Sequence, residues 1–189
     1  MKVPYTSDTN NVVFNKICNL YTGNGHFLVT VGKYIAQKVG KGSKVLIFTD
    51  DDIRSKLIEK SDCIGCNIDR QKLSDNVIQF PVKSIKEMSE NKQFRNFICK
   101  IIGLMARYCS NEGVIICIHG AFEELSNIMI ETEGTLQDIA VPVYFINCFS
   151  FSTDKKLAID IMQNYEYILD TTGVRRIDSI FGNLREKLS

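Results

Sequence analysis

Several residue types and patterns are rare or missing in this chain, and each absence excludes a class of protein. The 189 residues contain no tryptophan, three prolines and two histidines. There is no internal repeat, no low-complexity segment and no proline- or glycine-rich linker, so residues 1–189 are expected to form a single domain. No apolar run reaches the ~20 residues that a transmembrane helix needs, which excludes a membrane-spanning protein of the helical type.

The chain also lacks an excess of charge of either sign. Lysine plus arginine number 23 and aspartate plus glutamate 22, for a net charge of +1. This balance predicts no direct contact with nucleic acid or an anionic membrane. The N-terminal segment has no apolar h-region and is not expected to be a signal peptide. Seven cysteines, several of them inside apolar runs, indicate buried, reduced thiols and a cytoplasmic protein.

Six short apolar segments are predicted to be β-strands. They are rich in Val, Ile and Phe, and their apolar residues are consecutive, as in strands that are covered on both faces. The segments are 16–21, 44–50, 77–82, 113–120, 141–149 and 166–171.

Stretches with helical periodicity lie between these strands, and residues 174–188 are predicted to form a C-terminal amphipathic helix. This alternation predicts an α/β fold, a single three-layer domain whose mostly parallel sheet of about five to seven strands has helices on both faces. Ligands of such sheets bind beyond the carboxyl ends of the strands. The side chains expected at that edge include Tyr21, Asp50, His119 and Asn147.

The turn in YTGNGHF, after the first strand, has the position of a phosphate-binding loop. A Walker loop has the pattern G-x-x-x-x-G-K-[ST]. Counting from Gly32 and Lys33, its first glycine is replaced by Phe27 and its hydroxyl residue by Tyr34. The dinucleotide pattern G-x-G-x-x-G fails as well, because Leu28 replaces its third glycine. The turn is therefore either a helix N-terminus that binds an anion through backbone N–H groups or a plain strand-to-helix connection.

A C-x-x-C pair and a histidine at a strand end are two further candidates for chemical activity or binding. Cys63 and Cys66 form a C-x-x-C pair, but a zinc site needs about four ligands, and the pair follows a helical stretch instead of a strand. A redox or metal role and a plain helix–loop junction both remain open. His119 is either a ligand contact, an acid–base group or a satisfied half-buried histidine. No nucleophile elbow occurs, so we expect no enzyme activity, no metal and no cofactor.

The order of these elements resembles the MEDS domain, the methanogen/methylotroph sensory domain that is also found in regulators of dichloromethane metabolism. The resemblance covers about residues 14–172. It rests on KICNLY, on KVLIFTD with its acidic turn, on VIICIHGAFEELSN, on VPVYFINCFSFSTDKKLAIDIM and on YEYIL. It implies a degenerate RecA/KaiC-like domain without a working phosphate loop. The implied role is to sense a small organic molecule in prokaryotic signal transduction or transcription regulation.

Some individual residues match the pattern of this family and others depart from it. Cys18 and Tyr21 match positions of the family's first strand, and Glu131 corresponds to an acidic position in a helix. Lys16 and Asn147 depart from the pattern, which has histidine and cysteine there, so we expect that the ligand or its affinity differs or that binding is lost. The residues predicted to bind the ligand are Cys18, Tyr21, Asp50, His119, Glu131 and Asn147.

No kinase or helix-turn-helix segment follows the C-terminal helix. We therefore expect either output through a homo-oligomer or a signalling partner protein, or a fragment of a longer protein. A rival hypothesis is a degenerate RecA/KaiC-like protein that still holds ATP through backbone contacts, without the lysine and hydroxyl that phosphoryl transfer needs. A third hypothesis is a thiol-redox protein that uses Cys63 and Cys66.

Overall fold

The computed structural model describes residues 14–64, 67–90, 93–120, 141–150 and 163–181. These residues contain seven β-strands. The strands are β1 (Phe14–Tyr21), β2 (Lys44–Phe48), β3 (Val77–Phe80), β4 (Val114–His119), β5 (Val143–Ser150), β6 (Tyr167–Asp170) and β7 (Gly173–Arg176). They form one sheet in the order β3-β2-β4-β5-β1-β6-β7. All pairings are parallel except that of β6 with β7, which confirms the predicted α/β fold with a mostly parallel sheet.

The described helices lie between the strands, as the alternation predicts. Residues 24–40 run continuously as α1 (Asn24–Phe27), a π-helical segment (Leu28–Gly32) and α2 (Lys33–Gly40). The others are α3 (Ile53–Glu59), α4 (Arg70–Asn76), α5 (Val82–Glu90), α6 (Phe94–Ala106) and α7 (Ile177–Phe181). None of the helices in the described ranges has the length and apolarity that would span a membrane.

Two apolar cores lie on opposite faces of the sheet. Residues 24–40, α3 and α4 cover one face, where Phe27, Ile47 and Ile146 are completely or almost completely buried. Helices α5 and α6 cover the other, around Phe48 and Phe145. Right-handed crossovers explain this division, because the chain moves one way along the sheet from β1 to β3 and the other way from β3 to β4. The buried residues of β2, β4 and β5 consequently face helices on both sides.

The C-terminal helix begins later than the sequence predicts. Residues 173–176 form β7, which pairs antiparallel with β6, and α7 begins at Ile177. Asp170 closes the hairpin, since its carboxylate accepts hydrogen bonds from the Thr172 amide and hydroxyl at 2.8 and 2.6 Å. The predicted helix start at residue 174 is therefore wrong, because pairing with β6 outweighs the local helical periodicity. Residues 182–188 of the predicted helix lie outside the described residues.

Gly113, which directly precedes β4, lies against the backbone of Pro142, which directly precedes β5. Its φ is +85°, and a Cβ atom built there would lie 2.1 Å from the carbonyl oxygen of Pro142. The next residue, Val114, donates a 2.9 Å hydrogen bond to that same oxygen. Any side chain at position 113 would therefore push apart the strands at the start of their pairing.

We predict that Gly113→Ala lowers the free energy of unfolding by roughly 1–3 kcal/mol from the backbone conformation alone, with a further loss from the clash. Gly103→Ala is the matched control, because a Cβ at that helical position meets no atom within 4 Å. The control should be neutral or stabilising by up to about 1 kcal/mol. Urea denaturation measures the free energy of unfolding of both variants, and an unchanged m-value shows that a shifted midpoint reports stability. Equal midpoints for the two variants would contradict the strain argument.

Candidate functional site

Side chains from three strand ends meet on the face that residues 24–40, α3 and α4 cover. Tyr21 is the last residue of β1, His119 is the last residue of β4, and Thr49 directly follows β2. Parallel strands bring their carboxyl ends to one edge of the sheet, and residues two apart on a strand point to the same face. The ring of Phe27, from helix α1 that covers this face, contacts the ring of His119. We call Tyr21, Phe27, Thr49, Asp51 and His119 the His119 cluster.

His119 is the centre of this cluster and is only 7% exposed. Its imidazole stacks on the ring of Tyr21 at 4.7 Å, with 26° between the planes. The ring of Phe27 meets it edge-on at the same centroid distance. On its polar side, Nδ1 lies 3.1 Å from the hydroxyl oxygen of Thr49 and 3.9 Å from the carboxylate of Asp51. Aromatic and hydrogen-bond contacts therefore fix both the plane of the imidazole and its rotation.

Burial keeps the two polar rings of the cluster uncharged. Desolvation lowers the pKa of His119 below its ordinary value, and it outweighs the opposing effect of the Asp51 carboxylate, with the cation of Lys56 adding to the decrease. Desolvation likewise raises the pKa of Tyr21 to about 12, with smaller contributions from Cys148 and Asp51. At neutral pH the cluster therefore presents a neutral imidazole and a neutral phenol next to one carboxylate.

The second ring nitrogen of His119, Nε2, is buried without a hydrogen-bond partner among the described residues. A buried polar atom with no partner costs roughly 1–3 kcal/mol. Native proteins accept this cost where an ordered water, an ion or a ligand supplies the partner. Nε2 is therefore the atom of the cluster with unused bonding capacity.

The turn that resembles a phosphate-binding loop lies beside this cluster. Gly23 is in extended backbone conformation, and its carbonyl accepts from Phe27 at 3.0 Å. The Thr22 amide donates to the His26 ring at 3.3 Å. A Cβ at Gly23 or Gly25 would meet no atom within 4 Å, so packing does not require either glycine. Lys33 lies roughly 14 Å along the helix axis from residue 24, at 1.5 Å per residue, which is too far for a Walker lysine.

The helix after this turn has a π-helical segment that is tied to the sheet through Thr30. The Thr30 hydroxyl donates to the His26 carbonyl at 2.8 Å. Asn19 of β1, which is 1% exposed, approaches the same hydroxyl at 3.4 Å and donates to the carbonyl of Leu169 at 2.8 Å. Such π-helical turns often occur next to functional sites. Here the segment holds the first helix over β1 and β6.

Two of the sequence-predicted ligand residues face away from the His119 cluster. Cys18 and Asn147 are register partners in β1 and β5, and each is one residue out of phase with the residues that face α1. Cys18 is fully buried among Phe149 and Tyr165, and desolvation raises its pKa to about 12. Asn147 is 1% exposed, and its side-chain amide donates to the hydroxyl of Tyr165. The structure therefore does not bring Cys18 and Asn147 together with His119, and their role in ligand binding stays a prediction.

The other predicted ligand residues have separate outcomes. Asp50 accepts a 2.9 Å hydrogen bond from the amide of Val82, so it holds the start of α5 against the end of β2. Glu131 lies outside the described residues. Of the six predicted residues, the structure brings together Tyr21 and His119. Thr49 was missed, although its position two residues after the buried Ile47 places it on the same face as His119.

The cysteines that the structure describes include one exposed residue and one buried pair. Cys63 is exposed, and Cys66 lies outside the described residues. Cys117 and Cys148 form a buried thiol pair with 3.7 Å between their sulfur atoms, and Cys148 is the register partner of His119. Within the described part of the chain, no three His, Cys, Asp or Glu residues are placed to hold a metal ion.

A shallow groove of about 430 Å³ lies at the outer edge of the sheet, between α3 and β3. Its one arginine, Arg54, is held by the chain itself. The guanidinium donates to the carbonyls of Val77 and Ser74, both at 2.8 Å, and to the Ser74 hydroxyl at 3.0 Å. These bonds hold α3 to the junction between α4 and the edge strand.

The geometry defines the class of this protein as an α/β domain with a mostly parallel seven-stranded sheet and a buried histidine cluster at the carboxyl edge. No protein-family model matches the chain, and no curated protein matches it. A solved structure described as the crystal structure of the RadB recombinase is similar over 84% of this chain and 74% of that chain. The sequence identity is 13% and the TM-score 0.46. A likeness at this level carries no argument about function.

The depressed pKa of His119 predicts a pH dependence of stability. The unfolded imidazole has a pKa of about 6.5 and the folded one a lower value, so the unfolded chain binds more protons as the pH falls. The stability that the neutral ring provides is fully present above pH ~6.5 and is lost as the pH falls through the folded pKa.

His119→Asn should therefore have a flatter decline of the free energy of unfolding below pH ~6.5 than the wild type. His26→Asn, which changes the chain's other histidine, is the matched control for removal of an imidazole, and the decline in His119→Asn should be flatter than in this control. Urea denaturation over a pH series gives the difference, in which the common carboxylate contributions cancel. Parallel curves for His119→Asn and wild type would show that the ring titrates alike in both states.

Proposed function

We propose that this protein is a non-catalytic sensory domain that binds a small organic molecule at the carboxyl edge of its sheet, in contact with the His119 cluster. The buried, unpartnered Nε2 of His119 is the observation that carries the proposal. The edge is where ligands of parallel α/β sheets bind. A wall of aromatic rings with a few convergent polar groups is also the usual composition of small-molecule sites.

The contacts of the cluster support binding more than catalysis. A general base needs a proton to abstract within about 2.6–3.2 Å. Among the described residues, the side chain within that distance of His119 is the threonine hydroxyl at Nδ1. A threonine nucleophile would need an exposed oxygen, whereas Thr49 is 1% exposed. On this proposal the ligand changes the domain's stability or its association with a second copy or a cytoplasmic signalling partner, without contact with nucleic acid or membrane.

A second candidate function is magnesium-dependent binding of an adenine nucleotide by a degenerate RecA/KaiC-like domain. The observation in its favour is the turn after β1, where a continuous helix begins at residue 24 and the space beside Gly23 and Gly25 is open. Helix N-termini bind phosphate through free N–H groups. Two observations argue against tight phosphate binding in the absence of a cation. Lys33 lies far from the N-terminus of this helix, and the residues that follow β2 are acidic.

Native mass spectrometry of freshly purified protein, compared with its denatured mass, distinguishes the two candidates. We expect a small organic species to leave the protein on denaturation, and the same species to raise the melting temperature when added back. Saturation at about 100 times Kd corresponds to roughly 2.7 kcal/mol of stabilisation. A bound adenine nucleotide, or a shift with Mg-ATP alone, would replace the first candidate with the second.

The site assignment has its own test with matched variants. His119→Asn should lose most of the ligand-induced stabilisation, because it removes the ring that faces the proposed site, whereas His26→Asn should keep it. Differential scanning fluorimetry with the species identified by mass spectrometry gives both values. An unchanged shift in His119→Asn would move the ligand away from the His119 cluster.

A further inference from the structure

The hydrogen bonds of Thr49 determine which nitrogen of His119 carries its proton. The Thr49 hydroxyl accepts from the amide of Asp51 at 3.1 Å and lies 3.1 Å from Nδ1 of His119. A hydroxyl has one proton to donate and two lone pairs. Because the Asp51 amide already donates to this oxygen, and Thr49 is 1% exposed, the hydroxyl proton has its acceptor in Nδ1. The opposite arrangement would leave a buried O–H without a partner.

The Asp51 carboxylate does not change this assignment. Its nearest oxygen is 3.9 Å from Nδ1, which is beyond the range of a hydrogen bond, and the side chain is 49% exposed. Nδ1 is therefore an acceptor from Thr49. The ring is neutral at pH 7, so its one proton is on Nε2, the atom that is buried without a partner. His119 thus has a buried N–H group with no acceptor among the described residues.

We infer that Thr49 holds His119 in the Nε2–H tautomer and that Nε2–H donates a hydrogen bond to an uncharged carbonyl-type oxygen of the ligand. This inference rests on the proposed function for the existence of a ligand and adds its chemistry. The neutral oxygen follows from the surroundings. The Asp51 carboxylate lies 3.9 Å from the other ring nitrogen, Nδ1, and repels a second anion. Lys56 is the one cation among the charged neighbours that influence the pKa of His119.

The same geometry gives Thr49 the role of a positioning residue. It acts on the ligand through the imidazole, because its hydroxyl is occupied by the Asp51 amide and Nδ1. Removal of the hydroxyl would leave Nδ1 without its donor, and the proton would then divide between the two nitrogens. A ligand that needs an N–H at Nε2 would then bind only the correctly protonated fraction of the molecules.

The tautomer can be measured without any ligand. Two-bond ¹H–¹⁵N correlation spectra of uniformly labelled protein at pH 7 distinguish the protonated from the unprotonated ring nitrogen, and His26→Asn assigns the signals. We expect Nε2 of His119 to appear protonated and Nδ1 unprotonated. Thr49→Ser should keep this pattern, and Thr49→Val should lose it. Thr30→Val is the matched control, a buried threonine whose hydroxyl bonds to His26 and Phe27 instead. Protonated Nδ1 in the wild type would overturn the inference.

A titration then tests the chemistry of the ligand. The probes are acetamide, which offers a neutral carbonyl oxygen, and inorganic phosphate, which offers an anionic one. We expect acetamide to shift the Nε2 and Hε2 resonances of His119 in a saturable manner. The apparent affinity should be roughly twofold weaker in Thr49→Val, because about half of the molecules then carry the proton on Nε2, and unchanged in Thr49→Ser and Thr30→Val.

Every outcome other than the expected one contradicts a specific part of the inference. If phosphate shifts Nε2 and acetamide does not, the neutral-oxygen assignment fails and the nucleotide candidate gains support. If the tautomer is as inferred but neither probe shifts the ring, His119 is a structural histidine and the inference fails. The proposed function survives that result if native mass spectrometry still finds an organic ligand, so the two failures are distinguishable.

Discussion

The parallel pairing of β1, β5 and β4 is the constraint on which the rest of the structure depends. β1 and β5 pair over eight residues, from Phe14 with Val143 to Tyr21 with Ser150, and β4 continues the register so that His119 lies beside Cys148. Because side chains alternate between faces, a shift of one residue would turn each inward side chain outward. The register alone therefore places Tyr21 and His119 on one face, and Cys18 and Asn147 on the other.

Burial on that face determines the chemistry of the cluster. A histidine exposed at a strand end would be partly protonated near neutral pH, whereas the aromatic rings of Tyr21 and Phe27 exclude water and favour the neutral form of His119. The same exclusion makes the unpartnered Nε2 costly. A polar atom in this position costs stability in the free protein. On the proposed function, a partner atom from a ligand offsets that cost.

The sequence predicted the larger architecture well and the site only in part. Consecutive Val, Ile and Phe residues indicated six strands that the structure contains, because fully buried strands need apolar side chains on both faces. β7 was missed, since its sequence GVRR has no apolar run and forms a strand through pairing with β6. Tyr21 and His119 were found because both end apolar runs. Thr49 was missed because its role depends on a hydrogen bond to a residue 70 positions away.

What the sequence determined by itself was the fold class, the strand ends and the failure of the Walker pattern, since each follows from residue type and spacing along the chain. The tertiary structure decided which of the candidate residues meet. Strand register, with side chains alternating between the two faces, separated Cys18 and Asn147 from His119 and brought Thr49 within 3.1 Å of its ring. These are contacts between residues distant in sequence. Their free energy depends on geometry that no local pattern specifies, so the tautomer of His119 and the partner its Nε2 lacks are properties of the folded chain alone.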